Sequence, residues 1–232
     1  MKSLVIIPTF NEIENISEIV PQIFKLIPDV NILVVDDNSP DKTADKVIQM
    51  QSQFSGLHLL KRAGKQGLGK AYLAGFSWAL DHNYEFIVEM DADFSHRPVD
   101  LVKLIQAAQN PAVDFVIGSR YVPGGMTENW GFIRKLISRG GSLYSRLILG
   151  YPTNDWTGGF NGWKTPVLKA MGLDKIQSNG YSFQIELKYK AQKNGFKPLE
   201  VPILFADRKV GQSKMNLSIV FEAFYRVWQI RS

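Results

Sequence analysis

The chain has 232 residues, 45% of them hydrophobic, which is enough for a substantial buried core. It contains no cysteine, which excludes disulfides, thiol nucleophiles and thiolate metal sites. Its net charge of +5 favours anionic partners. No stretch approaches the roughly 20 apolar residues that a membrane span requires. We therefore expect one domain over residues 1–232, with no integral membrane segment.

Apolar runs of strand length alternate with segments of helical period through the first half of the chain. The predicted strands are residues 3–9, 31–37, 57–62, 85–91 and 114–120. The predicted helices are residues 14–26, 43–53, 67–80 and 99–108. This alternation predicts an α/β fold with a mostly parallel sheet flanked by helices. Ligands of such sheets bind at the carboxyl ends of the strands.

Polar clusters follow four of these strands. They are residues 8–12, 36–41, 91–93 and 118–120. Each cluster alone is explained about as well by a turn or a helix N-terminus. Because all four fall on the same rim of a parallel sheet, together they predict a binding site. A carboxylate after the second strand can accept hydrogen bonds from a base or a ribose, so a nucleotide is the expected ligand.

The run at residues 85–93 ends in two aspartates, Asp91 and Asp93, separated only by Ala92. Carboxylates in this position can turn together toward the sheet edge and hold Mg²⁺ or Mn²⁺, which prefer oxygen ligands. The triplet alone is also common in turns and helix caps. The metal-site interpretation therefore depends on the neighbouring clusters.

One glycine-rich segment, residues 64–70, has the glycine and lysine spacing of a phosphate-binding P-loop. Ala71 stands where that loop needs a hydroxyl for Mg²⁺, which argues against the P-loop interpretation. The alternative is a turn into a helix, with Lys65 and Lys70 adding positive charge. The histidines lack metal-ligand spacing, and we interpret His96 as a loop residue rather than a base.

The second half of the chain is more basic and amphipathic. Residues 129–150 interleave apolar and basic side chains at helical spacing, which predicts either a helix pair at a membrane interface or an ordinary surface helix pair. Residues 217–230 carry an apolar stripe that suits the sheet, a partner or lipid. Arg208 and Lys214 bracket a glycine-containing loop, which is either a solvated basic loop or a cover for a diphosphate.

Five ordered motifs resemble those of the inverting family 2 glycosyltransferases and, within that family, the dolichyl-phosphate (polyprenyl-phosphate) mannosyltransferases. The motifs are Pro-Thr-Phe-Asn-Glu at 8–12, Val-Asp-Asp-Asn-Ser-Pro-Asp at 35–41, Met-Asp-Ala-Asp-Phe-Ser-His at 90–96, Gly-Ser-Arg-Tyr at 118–121 and Asp-Arg-Lys-Val-Gly-Gln-Ser-Lys at 207–214. The resemblance covers nearly the whole chain. It is more specific for the fold than for the sugar.

The resemblance implies a Rossmann-like GT-A fold and transfer of mannose from GDP-mannose to polyprenyl phosphate. Residues 1–120 would bind the nucleotide sugar, and residues 121–232 would bind the acceptor and the membrane interface. The donor-binding positions that it implies are Pro8, Phe10, Glu12, Val35, Asp37, Asp91, Ala92, Asp93, Arg120, Arg208 and Lys214. The acceptor-phosphate positions are Arg120, Arg134 and Ser138.

The resemblance also implies catalytic roles for Asp91, Asp93 and Arg120, with Mg²⁺ or Mn²⁺ on the two aspartates. Ser95 stands where some relatives have a glutamine as a further metal ligand, so its contact with the metal, direct or through water, stays open. A phosphate monoester is already ionised at neutral pH, so the acceptor needs no strong general base. In-line attack would invert the anomeric carbon, with Arg120, Arg134, Arg208 and Lys214 offsetting phosphate charge.

Two other interpretations stay open. One is transfer of glucose or N-acetylglucosamine from a UDP-sugar, and the other is a nucleotide-sugar-binding subunit without turnover. No nucleic-acid-binding module is recognisable, so we expect no nucleic-acid partner. Many family members carry C-terminal membrane spans, whereas this sequence has none. We therefore expect peripheral association with the cytoplasmic side of a membrane, directly or through a small membrane-spanning partner subunit.

Overall fold

The structure, a computed structural model, describes residues 1–178, 180–207 and 225–231. Its strands are β1 (Ser3–Thr9), β2 (Asn31–Asp36), β3 (Leu57–Lys61), β4 (Phe86–Glu89), β5 (Phe115–Ser119), β6 (Met126–Thr127), β7 (Asn161–Lys164), β8 (Pro198–Pro202) and β9 (Leu204–Phe205). Seven of them form one sheet in the order β3-β2-β1-β4-β7-β5-β8, and β6 pairs with β9. Only β7 runs antiparallel to its neighbours in the large sheet.

Helices cover both faces of this sheet. They are α1 (Ile13–Leu26), α2 (Thr43–Met50), α3 (Leu68–Asp81), α4 (Pro98–Ala108), α5 (Phe132–Leu149), α6 (Thr165–Met171) and α7 (Gly180–Lys193). Successive side chains of a strand point to opposite faces. In β1, Val5 and Ile7 pack with α1, α2 and α4, whereas Leu4 and Ile6 pack with α3, α6 and α7. The predicted α/β fold with a mostly parallel sheet is confirmed.

The nine predicted elements of the first half are all present, with ends that differ by a few residues. The fourth strand ends at Glu89, so Asp91 belongs to the loop beyond the strand. The sequence did not indicate β7, which lies between β4 and β5. Gly162 makes its close pairing with β4 possible, because a Cβ at this position would lie 2.1 Å from the ring of Phe86.

The predicted helix pair at residues 129–150 is wrong, because the structure has the single helix α5 here. Its buried residues are three serines, Ser138, Ser142 and Ser145, and Leu149 at the end of the helix. The helix is continuous across the Gly-Gly pair at residues 140–141. The helix ends at Gly150, whose φ of 78° suits glycine.

Two predictions fall largely outside the described residues. Arg208 and Lys214 lie there, as do residues 217–224 of the predicted last helix. Residues 225–231 are helical, and Val227 is buried against Leu149, Trp156 and Tyr189. No helix in the described part of the chain is long and apolar enough to cross a bilayer.

Candidate functional site

The predicted polar clusters meet because β2, β1 and β4 are parallel neighbours. The amide of Asp37 donates to the carbonyl of Thr9 (3.0 Å), and the amide of Met90 donates to the carbonyl of Ile6 (3.0 Å). These bonds continue the pairing just beyond the strands. The loops after the three strands therefore start side by side at one rim of the sheet.

Asp36 and Asp37 have different environments at this rim. Asp36 is buried and accepts hydrogen bonds from the hydroxyls of Thr9 (2.9 Å) and Ser39 (2.6 Å). This carboxylate fixes the loop. Asp37 instead forms an ion pair with Arg62 at 2.6 Å. The predicted nucleotide-binding carboxylate is thus already oriented by an arginine.

Asp41 connects the starts of α1 and α2. It accepts hydrogen bonds from the amide of Ile13 (3.1 Å) and from the amide (2.9 Å) and hydroxyl (2.6 Å) of Thr43. Burial raises the pKa of Asp41, but these hydrogen bonds outweigh it and lower the pKa overall. The Thr43 hydroxyl also accepts the amide of Glu12 (3.1 Å). Asp41 therefore has a structural role, which places the predicted donor residue Glu12 beside the start of α2.

The remaining predicted donor residues lie close to the same loops. Pro8 and Val35 are register partners at the ends of β1 and β2. Phe10 follows β1, and the ammonium of Lys65 lies 4.2 Å from the centre of its ring. The glycine-rich segment forms a turn into α3, with Gly67 at a φ of 100°. This turn brings positive charge to the expected nucleotide pocket.

Asp91 and Asp93 are each held by neighbours. The hydroxyl of Tyr72 donates to Asp91 (3.1 Å), and burial, followed by the nearby Asp91 charge, raises the pKa of Tyr72 so that it remains a donor. Asp93 accepts hydrogen bonds from the amide (3.1 Å) and hydroxyl (2.6 Å) of Ser95. His96 is buried, and its Nδ1 accepts the amide of Asp91 (3.0 Å), so it stabilises the loop.

These two carboxylates suit a hard divalent cation. Among the described residues, no group of three His, Asp or Glu side chains is placed to hold a metal, so diphosphate oxygens and water would complete the coordination. The backbone directly after Asp93 is strained, since Phe94 has a φ of +64°, which is rare for a bulky residue. The Ser95 hydroxyl donates to Asp93, so Ser95 orients this carboxylate, and its contact with metal remains a prediction.

Arg120, which follows β5, is held by a residue that sequence analysis missed. Its Nε and Nη2 donate to the two oxygens of Asp155 (2.7 and 2.6 Å), and its amide also donates to Asp155 (2.9 Å). Asp155 is completely buried. Burial raises the pKa of this carboxyl, but the charge and hydrogen bonds of Arg120 lower it overall. Arg120 is therefore a fixed cation at the end of β5.

The structure brings Arg134 close to Arg120. Both guanidinium groups lie over the ring of Trp130, at 4.0 Å for Arg134 and 5.4 Å for Arg120. Nη1 of Arg134 donates to Asp207 (2.9 Å). The Nε of Arg134 and the indole nitrogen of Trp130 are buried donors that have no hydrogen-bond partner among the residues described by the structure. Unsatisfied buried donors are rare and costly, and an anion bound between the two arginines would suit them.

Ser138, the third predicted acceptor residue, belongs to the same cluster. Its hydroxyl accepts a hydrogen bond from the hydroxyl of Tyr121 (2.7 Å), the residue that follows Arg120. Burial is the main cause of the raised pKa of Tyr121, which keeps this phenol protonated. The predicted acceptor residues therefore come together, although they come from the loop after β5 and from α5.

A buried polar group behind the metal-site loop was also missed by sequence analysis. Glu89 accepts hydrogen bonds from the indole of Trp163 (2.6 Å) and the amide of Gln184. The carbonyl oxygen of Gln184 accepts the amide of Asn161 (2.8 Å). Burial raises the pKa of Glu89 to about 7. This group connects β4, β7 and α7 below the aspartates.

The sequence profile of Glycosyl transferase family 2 matches residues 4–172. The chain is 44% identical over 227 residues to an undecaprenyl-phosphate mannosyltransferase of Micrococcus luteus, covering 98% of this chain and 93% of the relative. It is 45% identical over 233 residues to a polyprenol monophosphomannose synthase of Mycolicibacterium smegmatis, covering 99% and 88%. These similarities confirm the resemblance that the motifs indicated.

A solved structure shares the fold. It is glucosyl-3-phosphoglycerate synthase from Mycobacterium tuberculosis in complex with Mn²⁺, UDP and phosphoglyceric acid, with a TM-score of 0.70 and 17% identity. The match covers 99% of this chain and 76% of that one. The expected GT-A fold is confirmed.

Proposed function

Because the chain belongs to glycosyltransferase family 2, we propose that it transfers mannose from GDP-mannose to polyprenyl or dolichyl phosphate. The products are polyprenyl phosphate β-mannose and GDP. The proposal rests above all on one observation, the cluster of Arg120, Arg134 and Ser138 at the end of β5. Since β5 and β4 both pair antiparallel with β7, this cluster lies on the same rim as the Asp91–Asp93 loop. The names of the two similar enzymes support mannose and polyprenyl phosphate.

The donor occupies the rim at β1, β2 and β4 in this proposal. The nucleotide-pocket residues are Pro8, Phe10, Glu12, Val35 and Asp37, and Arg208 and Lys214 complete the donor site from outside the described residues. Asp91 and Asp93 would hold Mg²⁺ or Mn²⁺, beside the Ala92 backbone. A cation held there would supply positive charge that offsets the charge of the leaving diphosphate.

The acceptor phosphate is both nucleophile and anion, so the site must bring two negatively charged groups together. Arg120 and Arg134 offset this repulsion and orient the phosphate for in-line attack on the anomeric carbon. Ser138 contributes a hydroxyl to the same anion. No protein base is required, because the monoester is ionised. His96 fits this mechanism, since its Nδ1 already accepts the Asp91 amide.

The outer face of α5 suits a membrane surface. Its exposed apolar side chains are Phe132, Ile133, Leu136, Leu143 and Leu147. Its exposed basic side chains are Lys135, Arg139 and Arg146. Apolar groups at the interface and cations among anionic headgroups both favour binding. The same helix carries Arg134 and Ser138, so membrane contact on the cytoplasmic side would place the acceptor site at headgroup level, with or without a membrane-spanning partner subunit.

A parallel donor assay tests the proposal. Purified protein is incubated with polyprenyl phosphate, Mg²⁺ or Mn²⁺, and GDP-mannose, UDP-glucose or UDP-N-acetylglucosamine, and the glycolipid is identified by mass spectrometry. Product from GDP-mannose alone is the expected result. Product from a UDP-sugar would show that the donor is that sugar nucleotide and not GDP-mannose. GDP-mannose binding without turnover in the presence of lipid acceptor would favour a binding subunit.

A further inference from the structure

The loop that presents Asp155 is held by a buried lysine. Lys188, in α7, is completely buried. Its ammonium donates to the backbone carbonyls of Asp155 (2.8 Å), Trp156 (3.2 Å) and Gly158 (2.8 Å). These three carbonyls match the three donors of an ammonium group. The lysine therefore fixes the path of the backbone directly after Asp155.

A glutamate holds the same loop from its other side. Glu200, in β8, accepts the amides of Asn154 (2.8 Å) and Asp155 (3.0 Å), and also the side-chain amide of Asn154 (2.8 Å). The backbone N–H groups at the start of the loop thus bind an anion, while the carbonyls that follow bind a cation. We call Lys188 and Glu200 the loop clamp.

The loop clamp acts on Arg120 through Asp155. The carboxylate of Asp155 accepts N–H groups from Arg120 and Gly158, with both oxygens engaged. Because its backbone is fixed by Lys188 and Glu200 and both its oxygens accept N–H groups, the carboxylate is held in one orientation. The orientation of Arg120 is therefore determined in advance of ligand binding.

We propose that Lys188 and Glu200 are positioning residues that hold Arg120 ready for the acceptor phosphate. This inference rests on the proposed function of Arg120. A buried ion costs desolvation free energy, and the hydrogen bonds from Lys188 to three carbonyls offset that cost. Three donors directed at one loop also specify the geometry of that loop.

The variant Lys188→Met tests the inference, because methionine keeps an unbranched apolar side chain and removes the three donors. We expect the KM for polyprenyl phosphate to rise about tenfold to 100-fold, as when partners behind a binding residue are lost, with the Kd for GDP-mannose unchanged. The matched control is Lys190→Met on the same helix, whose ammonium bonds to Glu186 (2.9 Å) and to the carbonyl of Lys175 (2.9 Å). The control should keep both values.

A purely structural role predicts a different result. Lys188→Met would then lower the melting temperature while leaving the KM for polyprenyl phosphate unchanged, and this outcome would overturn the inference. If Lys188→Met does not fold, Glu200→Gln perturbs the same loop from β8 with a side chain of similar shape. It should raise the same KM, and an unchanged KM would again contradict the loop clamp.

A spectroscopic measurement separates the loop clamp from the proposed function. The Arg120 Nε–H signal in a ¹H–¹⁵N NMR spectrum, assigned by its absence in Arg120→Lys, should exchange slowly because this group bonds to Asp155. In Lys188→Met it should exchange faster. Faster exchange in a protein that transfers no sugar would support the loop clamp and refute the proposed function. Unchanged exchange would refute the loop clamp alone.

Discussion

The donor and acceptor sides of the site are held in different ways. On the donor side, three loop carboxylates bond to a hydroxyl two or three residues later, in the pairs Asp36–Ser39, Asp41–Thr43 and Asp93–Ser95. Asp37 and Asp91 also bond to Arg62 and Tyr72, which are 25 and 19 residues away. On the acceptor side, Arg120 and Arg134 bond to carboxylates 35 and 73 residues away. Local loop contacts thus have a larger share on the donor side, whereas the acceptor side depends on tertiary structure.

This difference has consequences for mutation. A substitution at one of the local donor-side pairs should remove one binding group and leave the fold intact, because the hydrogen bonds that are lost join residues close in sequence. A change in an acceptor contact should alter the site and the stability together, since the same bonds connect distant elements. Each variant below tests that distinction.

The largest expected effect is that of Asp93→Ala. Loss of a metal-binding carboxylate removes several kcal/mol of transition-state stabilisation, so the rate of transfer should fall about 1,000-fold or more. The melting temperature should change little, because the hydrogen bonds between Asp93 and Ser95 lie within one loop. Glycolipid formation and thermal unfolding measure the two effects. Asp81→Ala, at an exposed helix end, is the control. Substantial retained activity would remove Asp93 from the site.

Asp155→Asn should instead lower stability and activity together. Breaking a buried ion pair on one side leaves an uncompensated charge and costs about 3 kcal/mol or more. Urea unfolding measures this cost. Asp174→Asn, at an exposed position, should have no comparable effect. An Asp155→Asn protein of wild-type stability would contradict the tertiary origin of the acceptor side.

The stability difference between wild type and Asp155→Asn should depend on pH. The pKa of Asp155 is lowered in the folded protein, so its ionised form stabilises the fold above the unfolded pKa of about 4. That stabilisation is lost as pH falls from there toward the folded pKa. The difference should therefore be constant from neutral pH down to about 5 and shrink below about 4. A difference that grows on acidification would show the opposite sign of the shift.

The sequence indicated the donor side because its information is local. Alternating periods located the strands of the first half, and the residues that follow each strand had to meet at one rim. Asp155 could not be found this way, because it lies outside any strand or helix and its partner is 35 residues away. A lone carboxylate in a segment otherwise rich in glycine and aromatic residues was the only signal in the sequence.

The second half was harder to predict for related reasons. β7 has only four residues, and Gly162 leaves it without a continuous apolar run. The glycine is needed there because a side chain would collide with the ring of Phe86. The continuity of α5 depends on a buried serine face, which hydrophobic periodicity does not detect. The acceptor residues Arg134 and Ser138 were identified only by resemblance, because their neighbours in space come from β5 and from the loop before α5.

The outer face of α5 offers a smaller, separate test. In the double variant Leu136→Ser, Leu147→Ser, partition onto vesicles containing anionic lipid should fall about tenfold or more, since each apolar side chain contributes roughly 1.5 kcal/mol or more. The side chains of Leu136 and Leu147 are 62% and 73% exposed, so the melting temperature of the double variant should equal that of the wild type. The control is Ile48→Ser, which changes an exposed apolar side chain of α2. Equal partition of both variants would show that α5 does not contact lipid.

The smallest effect, that of Ser95→Ala, separates two roles on the donor side. The Ser95 hydroxyl donates to Asp93 at 2.6 Å, and losing an orienting partner of a metal ligand weakens binding about tenfold. Titration of Mn²⁺ in the presence of GDP measures this change. If Ser95 itself binds the metal, its loss should approach that of Asp93→Ala. Equal losses in the two variants would therefore make Ser95 a ligand, whereas a tenfold difference or more would show that it acts by holding Asp93.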